Sequence, residues 1–217
     1  SLTRYHILVN GAQVYDSFED KTLLREELTP QQAMCMLHFL KSRNVLRGVY
    51  IDGLGHMSRE DFSEIEAVAA TPATAALMRR SYQTDEDLDA VTAQHDSVQK
   101  IIAFFRNPDD KQATIREITA RFPGYAVSSS LGNNIEINAQ NATKGSALCF
   151  LCEKIGIPIG QCMAFGDGTN DYSMLRAAGF GVAMGNASEE VQSCADAVTE
   201  TNEEDGVARM IERVLEL

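Results

Sequence analysis

The stretch Met163-Ala164-Phe165-Gly166-Asp167-Gly168-Thr169-Asn170-Asp171 decides how the C-terminal part of the chain is read. Its apolar residues predict a buried strand, and the Gly-Asp-Gly that follows ends that strand in a tight loop. The loop carries two carboxylates, Asp167 and Asp171, and leads into a helix predicted over residues 170–178. In an open α/β sheet, ligands gather beyond the carboxyl ends of the strands, where this loop falls. Hard oxygen ligands on a short loop suit Mg2+, which takes one or two carboxylates and completes its shell with water and phosphate oxygens. The bland alternative is an acidic turn in which Asn170 or Asp171 caps a helix. Two acids, two glycines and an asparagine coinciding at a strand end favour the metal loop. An EF-hand is excluded, because the regular Asp/Asn series with a closing Glu does not occur.

Outward from this loop, strands and helices alternate. Helix 144–156, strand 161–165, helix 170–178, strand 180–183, helix 187–193, a short strand near Ala197-Val198 and helix 203–216 follow one another. Such alternation with short joints predicts a parallel, helix-covered sheet. Lys144 opens the first of these helices, within Asn141-Ala142-Thr143-Lys144-Gly145. A cation at a helix N-terminus opposes the macrodipole, so a lysine there calls for an anion beside it. Alone, Lys144 reads as a surface lysine; with the acidic loop one strand later, anion binding is the better reading.

Before about residue 138 the grammar differs. A short strand over 5–9 stops at Asn10-Gly11, and residues 12–15 and 22–28 pattern as a hairpin. Thr29-Pro30-Gln31-Gln32 predicts a helix start with a capping box. A strand over 45–51, a polar helical region over 58–98 with starts at Ser58, Thr71 and Thr84, a strand over 100–105, a helix over 108–122 and a second hairpin complete an α+β portion. His56, on Gly53-Leu54-Gly55-His56, reads as a solvent-exposed turn histidine.

Composition bounds the function. The 217 residues carry 31 acidic against 19 basic side chains, a formal net charge of −12, which repels phosphate backbones and argues against a nucleic-acid partner. A small phosphorylated substrate is compatible, because local fields differ from net charge. No apolar run reaches membrane-span length, and residues 1–10 lack the apolar stretch of a signal peptide. The five cysteines (Cys35, Cys149, Cys152, Cys162, Cys194) are odd in number and scattered, which suits a reducing cytoplasm. Cys149-Phe150-Leu151-Cys152 is a CxxC inside an apolar helical run with no second ligand pair, so it reads as buried helix rather than zinc or redox site.

Five segments occur in order: Thr143-Lys144-Gly145; Phe165-Gly166-Asp167-Gly168-Thr169-Asn170-Asp171; Val182-Ala183-Met184-Gly185-Asn186-Ala187; Ala195-Asp196-Ala197-Val198-Thr199; and Asn202-Glu203-Glu204-Asp205-Gly206-Val207-Ala208. Together they resemble the Cof-type branch of the haloacid dehalogenase superfamily, and Val9-Asn10-Gly11-Ala12 resembles its exit from core to cap. The resemblance implies an α/β fold, a Rossmann-like core with an inserted α+β cap: residues 1–11 a remnant of the core, 12–136 the cap, 137–217 the C-terminal part of the core. It implies a Mg2+-dependent phosphatase of a small phosphorylated metabolite. Lys144 then steadies the phosphate, Asp167 is a metal ligand, and Asp171 binds the metal or orients its water. Asn170 hydrogen-bonds near the phosphate or the lysine, and Asn186 lines the same pocket.

The same resemblance exposes a gap. The family attacks phosphorus with an aspartate in an Asp-x-Asp-Gly-Thr segment and holds the phosphate with a Ser or Thr upstream of the cap. These residues contain neither; Phe165 stands where the nucleophile before Asp167-Gly168-Thr169 would be. The expectation is therefore an N-terminally truncated phosphatase with an incomplete parallel sheet, completed by a missing fragment or by a second copy in a homo-oligomer. The alternative is an inactive relic that binds phosphate or metal without turnover. P-type ATPases share Gly-Asp-Gly-x-Asn-Asp but need an Asp-Lys-Thr-Gly-Thr segment and membrane helices, absent here. Which metabolite is the substrate is not legible, since fold does not set function.

Overall fold

Strand β1, Tyr5–Leu8, runs into three successive residues with left-handed backbone: Val9 (φ 49°), Asn10 (60°) and Gly11 (102°). For the β-branched Val9 this is a costly conformation, on the order of 1–2 kcal/mol. The surroundings hold it, and at Gly11 they demand glycine: a Cβ there would lie 2.2 Å from the Thr143 carbonyl oxygen. The turn therefore seats the end of β1 directly against the start of the helix that carries Lys144. The structure is a computed structural model and describes residues 3–130 and 132–216.

The elements follow in chain order as β1, β2 (Gln13–Asp16), β3 (Lys21–Arg25), α1 (Pro30–Lys41), β4 (Val45–Ile51), β5 (Leu54–Ser58), α2 (Arg59–Ser63), α3 (Pro72–Ser81), β6 (Tyr82–Asp85), α4 (Leu88–Ala93), β7 (Lys100–Phe105), α5 (Asp110–Arg121), β8 (Tyr125–Ser128) and β9 (Asn134–Ala139). Then come α6 (Lys144–Ile155), β10 (Met163–Gly166), α7 (Tyr172–Ala177), β11 (Phe180–Ala183), α8 (Glu189–Gln192), β12 (Ala197–Val198) and α9 (Gly206–Leu215). Two compact units result: Ser1–Arg25 with Ala142–Leu217, and Glu26–Asn141 inserted between them. The sequence pattern placed the changes at residues 11/12 and 136/137. The hairpin of β2 and β3 instead clusters with the first unit, because β2 pairs with β1 from Leu8↔Gln13 to Tyr5↔Asp16.

The inserted unit is a six-stranded sheet of order β6-β5-β4-β7-β9-β8, antiparallel except for the parallel β5–β6 pair. Alternation along its strands feeds two cores. Val49, Ile51, Ile101, Ala103, Phe105, Ile135 and Ile137 pack with α1, α4 and α5. Leu46, Met57, Ile102 and Phe104 pack on the other face with Ile65, Ala75 and Met78. Helix α1 starts as its capping box predicts: Thr29 Oγ1 accepts from Gln32 N–H at 3.2 Å and Gln32 Oε1 from Thr29 N–H at 2.9 Å. Two expectations fail here. Thr84 lies in strand β6, and Asp87 caps α4 instead, accepting from Asp89 and Ala90 N–H. His56 lies in strand β5, is 9% exposed, and pairs through Nδ1 with Asp85 at 2.9 Å. Flanking glycine at Gly55 disguised that strand as a turn, and only pairing on both sides reveals it.

In the first unit β10, β11 and β12 form a parallel sheet in that order, with β1-β2-β3 as a separate antiparallel sheet. Among the described residues β10 pairs with β11 only. The Arg4 guanidinium pins the antiparallel sheet by bonding Asp16 through Nε and Nη2 at 2.6–3.0 Å. That guanidinium, helped by Phe18 and Glu19 N–H, holds the Asp16 carboxyl at about 2, below its ordinary 3.8. A carboxylate lowered on folding stabilises the fold above its unfolded pKa, and the gain disappears as pH falls through the folded value. The melting temperature of the protein should therefore exceed that of Asp16→Asn near neutral pH. The gap should close between about pH 4 and pH 2, as calorimetry at a series of pH values checks.

Candidate active site

Four backbone segments of the first unit converge at the carboxyl end of β10. The strand ends at Gly166, the loop carries Asp167, and one 3-10 turn, Thr169–Asp171, precedes α7. Asp171 is 4% exposed, and both of its oxygens are engaged. Oδ2 accepts from the Asp167 and Gly168 N–H groups, each at 3.0 Å, which curls the loop back on itself. Oδ1 accepts from Lys144 Nζ at 2.5 Å. Gly166 lets the carboxylate in: a Cβ at that position would sit 2.4 Å from Asp171 Cβ.

Lys144 is the first residue of α6, with Thr143 capping by accepting from Ser146 N–H at 3.1 Å. The anion that a lysine at a helix N-terminus requires is present within the protein: it is Asp171. The neighbouring Gly145 N–H is also used, donating to Ser173 Oγ at 3.0 Å. Helices α6 and α7 are thus tied at their starts by an ion pair and a hydrogen bond.

Asp167 differs. It is exposed, and its Oδ2 receives a long contact of 3.4 Å from Asn186 Nδ2. Asn186 is held in turn, its Oδ1 accepting from Asn202 N–H at 3.1 Å. Asn170 turns toward the end of β1, its Nδ2 donating to Asn10 Oδ1 at 3.3 Å. All five residues singled out in the sequence therefore lie around one loop: Lys144, Asp167, Asn170, Asp171 and Asn186. Beside them opens a cavity of about 520 Å³, lined by Lys144, Asp167 and Asp171 on a polar side and by Ile7, Phe165, Met174, Met184 and Val207 otherwise. Asn10 and Ser173 were missed as contributors. Asn10-Gly11 carries a turn signal that does not reveal its partner, and Ser173 has no signal short of the helix pairing.

Donor chemistry bears on a metal. Among the described residues no group of three or more His, Cys, Asp or Glu is gathered as a ligand set. Mg2+ does not need one, because it keeps waters and is commonly held by one or two carboxylates. Asp167 fits as an open carboxylate at the cavity rim. Asp171, expected as a metal ligand or water-orienting acid, has its oxygens committed to Lys144 and two backbone N–H groups.

The haloacid dehalogenase-like hydrolase family matches residues 1–211, nearly the whole chain. The chain belongs to that family. Its fold is that of a haloacid dehalogenase-like hydrolase from B. subtilis, with a TM-score of 0.82 and 29% identity over 96% of this chain and 78% of that one. The HAD subclass IIB sugar phosphatase BT4131 shares the fold, with a TM-score of 0.80 and 20% identity over 100% and 77%. In sequence the chain is 52% identical to phosphatase YwpJ of Bacillus subtilis (strain 168) over 87 residues, 40% of this chain. That aligned stretch is 30% of YwpJ, so less than a third of this relative's length is spanned. An α/β unit with an α+β unit inserted in its sequence is the arrangement that the resemblance to the Cof-type branch implies.

Asp171→Ala should unfold more readily in urea by about 2–3 kcal/mol, because two part-buried N–H groups and the lysine lose their acceptor together. Lys144→Met should cost less, since the loop keeps both backbone bonds to Asp171. Equal losses in the two variants would show that the loop clamp carries no weight.

Proposed function

We propose that this chain provides the metal- and phosphate-binding part of a Mg2+-dependent phosphoric monoester hydrolase acting on a small phosphorylated metabolite. The charge balance of the cavity carries the reading. Asp171 already neutralises Lys144 at 2.5 Å, which leaves the exposed Asp167 carboxylate without a cationic partner among the described residues. A phosphate monoester is an anion and is repelled by such a cavity until a cation enters. In this reading Asp167 holds Mg2+, and Asn186 orients its carboxylate. The bound ion supplies charge neutralisation and polarises a phosphoryl oxygen. Lys144 Nζ donates to another phosphoryl oxygen while Asp171 keeps the ammonium aimed, and the Asn170 amide donates beside it. Asp171 acts as a positioning residue, supported by its burial and its filled hydrogen bonds.

Hydrolysis by the family's covalent route also needs an attacking aspartate, and these 217 residues hold no Asp-x-Asp-Gly-Thr segment. We propose that it reaches the cavity on a strand paired with the second edge of β10, from another segment of the protein or from a second copy. Two features support this. Strand β10 is paired on one side among the described residues, with Phe165 and Gly166 lining the cavity. Helix α9 leaves an apolar stripe uncovered, with Val207, Ile211, Val214 and Leu215 exposed by 39–60% at helical spacing. Free cysteines suit a cytoplasmic setting, and no helix among the described residues is long and apolar enough to cross a membrane. The missing nucleophile segment favours a second reading, a protein that binds metal and phosphate without turnover.

Calorimetric titration with Mg2+ and inorganic phosphate tests the charge argument, and p-nitrophenyl phosphate tests turnover. Mg2+ should bind the chain and fail to bind Asp167→Ala, whose circular dichroism should be unchanged. Phosphate should bind with Mg2+ and at least tenfold more weakly without it; equal binding in both conditions would sink the charge argument. Turnover by this chain alone should be at or near background. Robust turnover that disappears in Asp167→Ala would show that the nucleophile lies within these residues. A strand supplied with its aspartate should restore turnover; binding that persists without turnover after that addition favours the second reading.

A further inference from the structure

Outside the cavity, two thiols stand in contact: Cys152 and Cys162, with their sulfurs 3.2 Å apart. Cys152 faces inward from α6 and is 4% exposed. Cys162 is half-buried immediately ahead of β10, while Cys149, the other half of the CxxC, is exposed. The partner of Cys152 is therefore ten residues away in sequence, not three.

Hydrogen-bonded backbone holds both thiols. Helix α6 stops after Ile155, and Ile157 N–H donates back to the Cys152 carbonyl at 2.9 Å. The chain then turns through Ile159–Gln161, where Cys162 N–H donates to the Ile159 carbonyl at 3.0 Å. Phe180 N–H donates to the Cys162 carbonyl at 3.0 Å, which extends the β10–β11 ladder to this cysteine. The approach of the sulfurs is thus set by a helix stop, a turn and a sheet, not by a mobile loop.

We propose that Cys152 and Cys162 are a site of reversible disulfide formation by hydrogen peroxide or glutathione disulfide, which staples α6 to the strand that delivers Asp167. A disulfide is about 2.05 Å long, so the sulfurs close by about 1 Å, within the reach of side-chain rotation. With peroxide, the more accessible Cys162 sulfur takes one oxygen as the O–O bond breaks, giving a sulfenic acid and, after protonation, one water. The Cys152 sulfur then bonds to the Cys162 sulfur, the S–O bond breaks, and the hydroxide leaves with the Cys152 proton as a second water. Two thiols are oxidised and one peroxide is reduced. With glutathione disulfide, two exchanges release two glutathione thiols. Burial and the neighbouring Cys162 push the Cys152 thiol up to about 11, so Cys152 is not the sulfur that peroxide oxidises first. In a reducing compartment such a bond is transient and answers to redox state.

Trypsin separates the partners: Cys149 and Cys152 fall in residues 145–154, and Cys162 in residues 155–176. The whole chain is exposed to excess peroxide, capped with N-ethylmaleimide in denaturant, digested and read by tandem mass spectrometry. The expected product is these two peptides joined through Cys152, lighter by the two thiol hydrogens, with Cys149 capped. The oxidised protein should melt about 5 °C higher, and dithiothreitol should reverse the shift. Cys162→Ser should lose the linked product and the shift, and Cys149→Ala should keep both. Cys162→Ser changes a half-buried position, so it serves even where Cys152→Ser does not fold. Full capping of both thiols, a link made through Cys149, or sulfinic acid at Cys162 without linked peptide would each overturn the proposal.

Discussion

The buried carboxylate of Asp171 is the joint on which the site depends. One oxygen gathers two backbone N–H groups of the loop after β10, and the other binds the lysine that opens α6. A strand end, a helix start and the helix that Asp171 precedes are fixed by one side chain. Burial makes the arrangement exacting, because an unpaired charge or N–H group in that position would be costly. The same geometry divides the work of two aspartates that look equivalent in sequence. Asp171 organises the loop, and Asp167, four residues earlier, is left open to solvent.

Backbone strain at the end of β1 serves the same joint. The left-handed run of Val9, Asn10 and Gly11 brings the chain against Thr143 and places Asn10 against Asn170. Such a conformation persists where the surroundings over-determine it, and it is common at functional sites. The inserted unit follows a plainer logic. Its six-stranded sheet buries apolar side chains on both faces, so its stability comes from two cores and needs nothing from the loop chemistry. A scaffold of this kind leaves its own surface free to vary, which is why family membership does not name a substrate.

Much of the fold was legible. The capping box at Thr29, the alternation after residue 143 and the strands over 45–51 and 100–105 are strong local signals, and the elements appear where they predict. The errors share a cause. Strands β5 and β6 lie in a polar, glycine-bearing stretch whose propensity is weak, and they exist because each pairs with a neighbouring strand. The hairpin of β2 and β3 joins the first unit for the same reason, since pairing with β1 is a long-range choice that no local pattern carries.

The cysteines show the limit in another form. The CxxC of Cys149 and Cys152 draws the eye as a pair, yet the sulfur in contact with Cys152 belongs to Cys162, brought back by the turn after α6. By itself the sequence determined the order of elements, the net charge and the identity of the residues around the loop, because periodicity, capping and motif spacing are local properties. Tertiary structure alone decided that Asp171 is the anion beside Lys144, that Asp167 stays open, and that His56 is buried against Asp85. Those outcomes turn on burial and on contacts between distant segments, which spacing along a chain does not encode.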